Sequence, residues 1–259
     1  AAEQAEAERV MMARETEALR AQQMTTLAQL ATGVAHEIRN PLTSIKMLIQ
    51  VNRSKFADEG FPTDDLQLVE QEIRRMERSV NSLLEFARPE QGEQSVFPIQ
   101  NVIRKTVQLI EGRCGQQAVK LVIDCKDNPI MIAGDASQIQ QLLLNLALNA
   151  LDAMPDGGEV TISVVTTDDQ LELSVVDNGE GISDDMLAKL FTPFSTSKAS
   201  GVGLGLGICR RIADAHGGTL TGQNRASGGA VFCLTLPLVD PSAIGTDDIP
   251  LREASCKPY

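Results

Sequence analysis

The chain has no apolar run of the ~18 to 20 residues that a bilayer-spanning helix needs. Its richest stretch, Leu142 to Leu151, is interrupted by Asn145 and Asn149. No secretory signal is visible at the start. An excess of cations is missing as well. Lys and Arg number 23 against 35 Asp and Glu, a net charge of −12. That excludes nucleic acid as a partner, since phosphate contacts need clustered basic side chains. It also means that a nucleotide site here must bring Mg²⁺ and local donors. The five cysteines, Cys114, Cys125, Cys209, Cys233 and Cys256, include no C-x-x-C pair. An odd, scattered set reads as reduced thiols of a cytoplasmic protein, not as a disulfide frame or zinc site. An initiating Met is lacking too, and the first residues already read as helix. The expectation is a fragment; any membrane anchor or sensor would lie upstream.

Residues 1–22, rich in Ala, Glu, Gln and Arg, are strong helix formers with sparse apolar positions. They read as a polar lead-in helix coiled with a copy of itself. From Leu27 a stripe sharpens through Leu30, Val34, Ile38, Leu42, Ile45 and Leu48 at helical steps of three and four. Pro41 lies inside it and predicts a bend, because it removes one amide and crowds the carbonyl of Glu37. Gly60 and Pro62 break this helix, and Asp64 or Asp65 can cap the next one. Leu66, Val69, Ile73, Met76, Val80, Leu83 and Ala87 then continue at heptad spacing. A lone hairpin leaves that seam open, whereas two hairpins bury it as a four-helix bundle, each Leu or Ile contributing ~1.5 to 3 kcal/mol. A homodimer is the expected solution.

The linker 89–98 leads to a region of mixed periodicity. Helices are expected near 99–112, 137–154 and 204–216. Strands are expected near 120–124, 130–133, 160–166, 171–176, 219–224 and 229–236. This order predicts one layer of sheet and one of helices over 99–239, with an unstructured tail at 240–259. The fold class is therefore α+β, a helical hairpin at 23–88 followed by an α/β sandwich.

Only two histidines occur. His36 stands in Gly33-Val-Ala-His-Glu-Ile-Arg-Asn-Pro-Leu-Thr43, beside the apolar seam, with Glu37 next to it and Asn40 one turn on. A neutral imidazole is nucleophilic near neutral pH, although a solvated helix residue is the plainer alternative. His216 precedes Gly217-Gly218 at a helix end, where a positive ring suits the dipole; it is expected to be structural. Asn145 and Asn149 share one helix face and could offer amide oxygens to Mg²⁺ or simply make local hydrogen bonds. Asp177 ends a strand and opens onto Asn178-Gly-Glu-Gly181, where a carboxylate could accept the amine of adenine. An ordinary Asp-Asn-Gly turn has the same letters. Gly201, Gly203, Gly205 and Gly207 alternate before a helix, and bare amides there suit a triphosphate. Neither the Rossmann nor the P-loop spacing fits. Lys198 is a candidate phosphate partner or a solvated loop lysine.

These segments together resemble the kinase core of bacterial two-component sensor histidine kinases. His36-Glu-Ile-Arg-Asn-Pro-Leu42 resembles the H box and Asn145-Leu-Ala-Leu-Asn-Ala-Leu-Asp152 the N box. Asp177-Asn-Gly-Glu-Gly181 resembles the G1 box, Phe191-Thr-Pro-Phe194 the F box and Gly201-Val-Gly-Leu-Gly-Leu-Gly207 the G2 box. The stretch Phe194-Ser-Thr-Ser-Lys198 is similar to that of the nitrogen-regulatory type. The resemblance implies a dimerisation and phosphotransfer hairpin and a Bergerat-type ATP-binding domain. It implies His36 as the phosphorylated residue, Glu37 as its general base and Asn40 as an aid to regulator dephosphorylation. Asn149 with Asn145 would hold Mg²⁺, and Asp177 would take the adenine amine between Gly179 and Gly181. Gly203, Leu204 and Gly205 would lie by the phosphates, with Phe191 and Phe194 anchoring a lid. The partners implied are a second copy and the receiver domain of a response regulator. Competing readings are a Bergerat-fold ATPase, a serine kinase of the anti-sigma type and a non-catalytic dimeric adaptor. Against the first, Asn145 stands where those relatives carry a water-activating Glu, and an amide is no base.

Overall fold

The computed structural model describes residues 38–87, 94–126, 128–167, 169–196 and 203–239. The chain divides into two compact units, Ala1–Pro89 with Thr192–Ile208, and Glu90–Phe191 with Cys209–Tyr259.

In the first unit, helix α1 (38–58) runs on through Pro41. The hydroxyls of Thr43 and Ser44, on the following turn, bond back to the carbonyls of Arg39 and Asn40 at 2.9 and 3.3 Å, an arrangement that bends helices. The helix stops at Gly60 in a Schellman motif. Gly60 takes φ +77, its amide bonds to Ala57 O, and that of Phe61 to Phe56 O. The accompanying apolar contact is the edge-on pair Phe56–Phe61, 6.1 Å between centroids. Helix α2 (Asp64–Ala87) follows. Its cap position falls on Thr63, which accepts from the amide and side chain of Gln67. Asp64 and Asp65 lie in the first turn instead of capping, where their charge still favours the dipole.

The expected seam is only half covered in one chain. Leu42, Ile73 and Val80 are buried, while Ile45, Leu48, Val69 and Met76 remain 42 to 63% exposed. Between the helices lies a feature that apolar periodicity does not reveal. Arg39 donates to Asn81 at 2.7 Å, Lys46 to Glu77 at 2.8 Å, and Gln50 to Glu70 at 3.1 Å. Arg53 reaches Glu70 at 3.2 Å and Arg74 closes on it at 2.6 Å. Arg39, Lys46 and Arg53 are seven apart, so they form a polar heptad that fixes the hairpin's register.

Glu70 is the buried member, and its carboxyl is held below the usual range. The hydrogen bond from Gln50 is the largest cause, followed by that from Arg74, with desolvation opposing and the charges of Arg53 and Arg74 adding. A lowered folded-state value means that this contribution is present above the unfolded value and lost as pH falls through the folded one. The hairpin should therefore loosen in acid below the ordinary glutamate range. In thermal melts followed over that range, Glu70→Gln should flatten the acid limb; an unchanged limb would show that Glu70 does not carry it.

The second unit begins with a strand where a linker was expected. β1 (Ser95–Pro98) pairs antiparallel with β3 (Met131–Gly134). Helix α3 (Ile99–Gln116), strand β2 (Val119–Asp124) and helix α4 (Ala136–Asp152) come next. Asp135 caps α4 by accepting from the amides of Ser137 and Gln138. Strands β4 (Gly158–Thr166) and β5 (Gln170–Asp177) and the short helix α5 (Asp184–Leu187) follow, then helix α6 (Gly205–Ala215), which belongs to this unit from Cys209 on. Strands β6 (Thr219–Asn224) and β7 (Ala230–Pro237) close the unit. The five-stranded sheet has the order β2-β4-β5-β7-β6, with β2 and β4 parallel and the other pairs antiparallel. Val160, Ile162, Leu171, Leu173, Val175, Leu220, Leu234 and Leu236 are buried, as are Ile99, Ile110, Ile139, Leu142, Leu143, Leu146 and Ile212 of the helices. This is the expected sandwich of one sheet and one helical layer.

Candidate functional site

Alternation along β5 places the site's carboxylate. Leu171, Leu173 and Val175 are buried on one face, and two residues on the same period delivers Asp177 to that face, 3% exposed. A carboxylate on a core face needs donors. Oδ1 accepts from the amides of Gly179 at 3.0 Å and Ala230 at 3.1 Å. Among the described residues nothing donates to Oδ2, which leaves one acceptor oxygen.

The loop after Asp177 lies against the end of α4. A Cβ at Gly179 would come within 2.5 Å of the carbonyl oxygen of Ala153, which is the C-cap of α4, one turn past Asn149. The Asp177 loop and the Asn149 end of α4 are thereby adjacent. Asn145 and Asn149 are both half-buried. The buried thiol of Cys209 donates to Leu142 O at 3.7 Å, with Asn145 beside it. Burial pushes that thiol up to about 12, so Cys209 stays protonated and unreactive. Among the described residues no cluster of His, Cys, Asp or Glu could hold a metal. The donor set that remains is one or two amide oxygens. It fits Mg²⁺, a hard ion that takes few protein ligands and completes its shell from phosphates and water.

Phe191 is half-buried beneath Arg210, whose guanidinium carbon sits 5.7 Å from the ring centroid. Arg210 is itself fixed by Asp214 and Leu220 O, both at 3.1 Å. Phe194 is expected as a second anchor. The residue is 54% exposed with φ +66, and its amide donates to Gly203 O at 2.9 Å. A Cβ at Gly203 would meet Phe194 C at 2.6 Å. Leu204 is buried, and Gly205 opens α6 with nothing within 4 Å of where a Cβ would stand. His36, Glu37 and Lys198 lie outside the described residues, as do the lead-in helix and the tail. Asn40 is exposed on α1.

Three comparisons bear on this arrangement. Residues 26–92 match the family described as "His Kinase A (phospho-acceptor) domain". Residues 134–240 match "Histidine kinase-, DNA gyrase B-, and HSP90-like ATPase". The solved catalytic domain of histidine kinase ThkA, in a nucleotide-free form, is 32% identical over 56% of this chain and 97% of its own, with a TM-score of 0.52. The chain belongs to the two-component sensor histidine kinases. Sporulation kinase D of Bacillus subtilis (strain 168) is 37% identical to this kinase core over 222 residues, 84% of the chain and 43% of the relative. ThkA solved with the response regulator protein TrrA is 27% identical, with a TM-score of 0.63 over 87% of this chain and 66% of that one. The kinase core spans about half the length of the curated relatives it matches.

Several residues around the site are not evident from the sequence. Arg210 behind Phe191 is one. Asn224, Arg225 and Gly229 behind Asp177 are others, and they sit in a turn that reads only as a hairpin connection. His216 is structural but not as a cation. Its Nε2 accepts from the amide of Asp135 at 3.0 Å, so Nδ1, 2.8 Å from Ile212 O, carries the proton. A positive ring would put two donors face to face.

Proposed function

We propose that this kinase core transfers the γ-phosphoryl group of ATP to its own His36 and passes it to an aspartate of a receiver domain. The observation that carries the nucleotide half of this reading is Asp177. Two backbone amides hold one of its oxygens, and the other is left to accept the exocyclic amine of adenine. Gly203, Leu204 and Gly205 at the start of α6 suit the phosphates through amides that have no partner within the helix. Asn149 with Asn145 would hold Mg²⁺, which supplies neutralisation of phosphate charge when bound. A nitrogen of the His36 ring attacks the γ-phosphorus, the bond to the β-phosphate oxygen breaks, and ADP leaves. Glu37 takes the ring proton. Lys198, three residues before Gly201, is a candidate partner for a phosphate oxygen.

A second copy of the chain is the proposed partner for the open apolar seam, since Ile45, Leu48, Val69 and Met76 alternate with buried Leu42, Ile73 and Val80. The receiver domain is the second partner, and the exposure of Asn40 on α1 supports a role for it there. Among the described residues no helix is long and apolar enough to cross a membrane. We assign this core to the cytoplasm, where ATP is available as donor. The reading as an ATPase is disfavoured because Asn145 stands where a water-activating carboxylate is needed, and an amide is no base.

The test follows label from γ-labelled ATP onto the kinase, then onto an added receiver domain, for the wild type and Asn40→Ala. Both proteins should acquire and pass on label, with regulator dephosphorylation slowed in the variant. Label that stays on the kinase would overturn the transfer step, and loss of labelling in Asn40→Ala would make Asn40 structural.

A further inference from the structure

The turn joining β6 and β7 does more than connect two strands. It is closed on itself by bonds from Arg225 N to Gly229 O at 3.0 Å and from Gly228 N to Arg225 O at 3.1 Å. From this frame four contacts reach the Asp177 loop. Asn224 Oδ1 accepts from the amide of Ile182 at 2.7 Å, and Asn224 Nδ2 donates to the carbonyl of Ile182 at 2.6 Å. Arg225 Nη1 donates to the carbonyl of Asp177 at 3.1 Å. The amide of Ala230 donates to the Asp177 carboxylate. Both ends of the segment 177–182 are therefore held from one turn, and its middle rests on α4 through Gly179.

An asparagine side chain is a peptide group in miniature, with one donor and one acceptor in a plane. It can pair with both backbone groups of Ile182 as a neighbouring strand does. Aspartate, with two acceptors, cannot, and alanine offers neither. We infer that Asn224 is a positioning residue for adenine recognition: it fixes the loop 177–182 so that the free oxygen of Asp177 and the glycines beside it present one geometry to the base. This inference rests on the adenine site proposed above. Asn224 touches no nucleotide itself; it acts through Ile182.

The experiment measures binding of ATP, and of GTP by competition at millimolar concentration, to the whole chain and its variants Asn224→Asp and Asn224→Ala, with a thermal melt for each. Loss of the pairing should weaken ATP binding about tenfold, as expected for one or two hydrogen bonds. GTP, which lacks the amine that Asp177 accepts, should change little, so the preference for ATP narrows by the same factor. Unchanged ATP affinity in a folded variant overturns the inference while leaving the site standing. Equal weakening of ATP and GTP also overturns it, because that is what a general loss of structure does. A wild type that binds no adenine nucleotide overturns both the inference and the site. If neither variant folds, hydrogen exchange at the Ile182 amide of the nucleotide-free wild type decides. Protection supports the pairing, and exchange at the rate of an open loop refutes it.

Discussion

Asp177→Asn should weaken ATP binding by about ten- to more than a hundredfold, the ~1.5 to 3 kcal/mol of a hydrogen bond to a charged group. The substitution is nearly isosteric, so its effect comes from donor and acceptor placement. The amides of Gly179 and Ala230 both point at Oδ1, and an asparagine must keep its oxygen there. Its NH₂ then occupies the place of Oδ2, facing the amine of adenine donor to donor. Flipping the amide only moves the conflict onto the two backbone amides. Thermal stability should change less than nucleotide affinity, and calorimetric titration of wild type and variant reads both. Equal affinities would remove Asp177 from the base site.

Gly229→Ala should be the most damaging small substitution near the site. Gly229 has φ +80, and a Cβ there would stand 2.1 Å from the carbonyl oxygen of Asp177 and 2.7 Å from Asn178 Cα. Both obstacles are backbone, so neither can rotate away. A left-handed non-glycine residue costs ~1 to 2 kcal/mol, and overpacking adds ~1 to 3 kcal/mol. A stability loss of about 2 to 5 kcal/mol is expected, together with loss of nucleotide affinity, because β5 must move its terminal carboxylate. Gly228, one residue earlier with nothing within 4 Å of its Cβ position, is the control. Chemical denaturation of Gly229→Ala that matches wild type would contradict the geometry.

Much of the fold is legible in the sequence because strong periodicities carry it. The alternation of Leu171, Leu173 and Val175 marks β5 and ends on Asp177. The i, i+4 pair Asn145 and Asn149 interrupts an otherwise apolar helix. The two seams of the hairpin stop at Gly60 and resume at Asp64. What escapes has no apolar period. β1 is four residues in a stretch with linker composition, and it exists because β3 offers an edge to pair with. The rungs from Arg39 to Asn81 and from Gln50 and Arg53 to Glu70 look like ordinary solvated charges until both helices are side by side. Asn224, Arg225 and Gly229 belong to a turn some forty to fifty residues beyond the loop they hold, and no local pattern links the two. Phe191 and Phe194 look equivalent as letters, and no letter shows that Arg210 lies over the Phe191 ring.

The proposed chemistry begins with a phosphoryl group on one histidine. The direct measurement incubates the chain and His36→Gln with γ-labelled ATP and Mg²⁺ and tests the label's stability. Labelling of the wild type that survives base, is lost in acid and is absent from His36→Gln is the predicted result. Steady phosphate release without any protein-bound label, or equal label in His36→Gln, would contradict it.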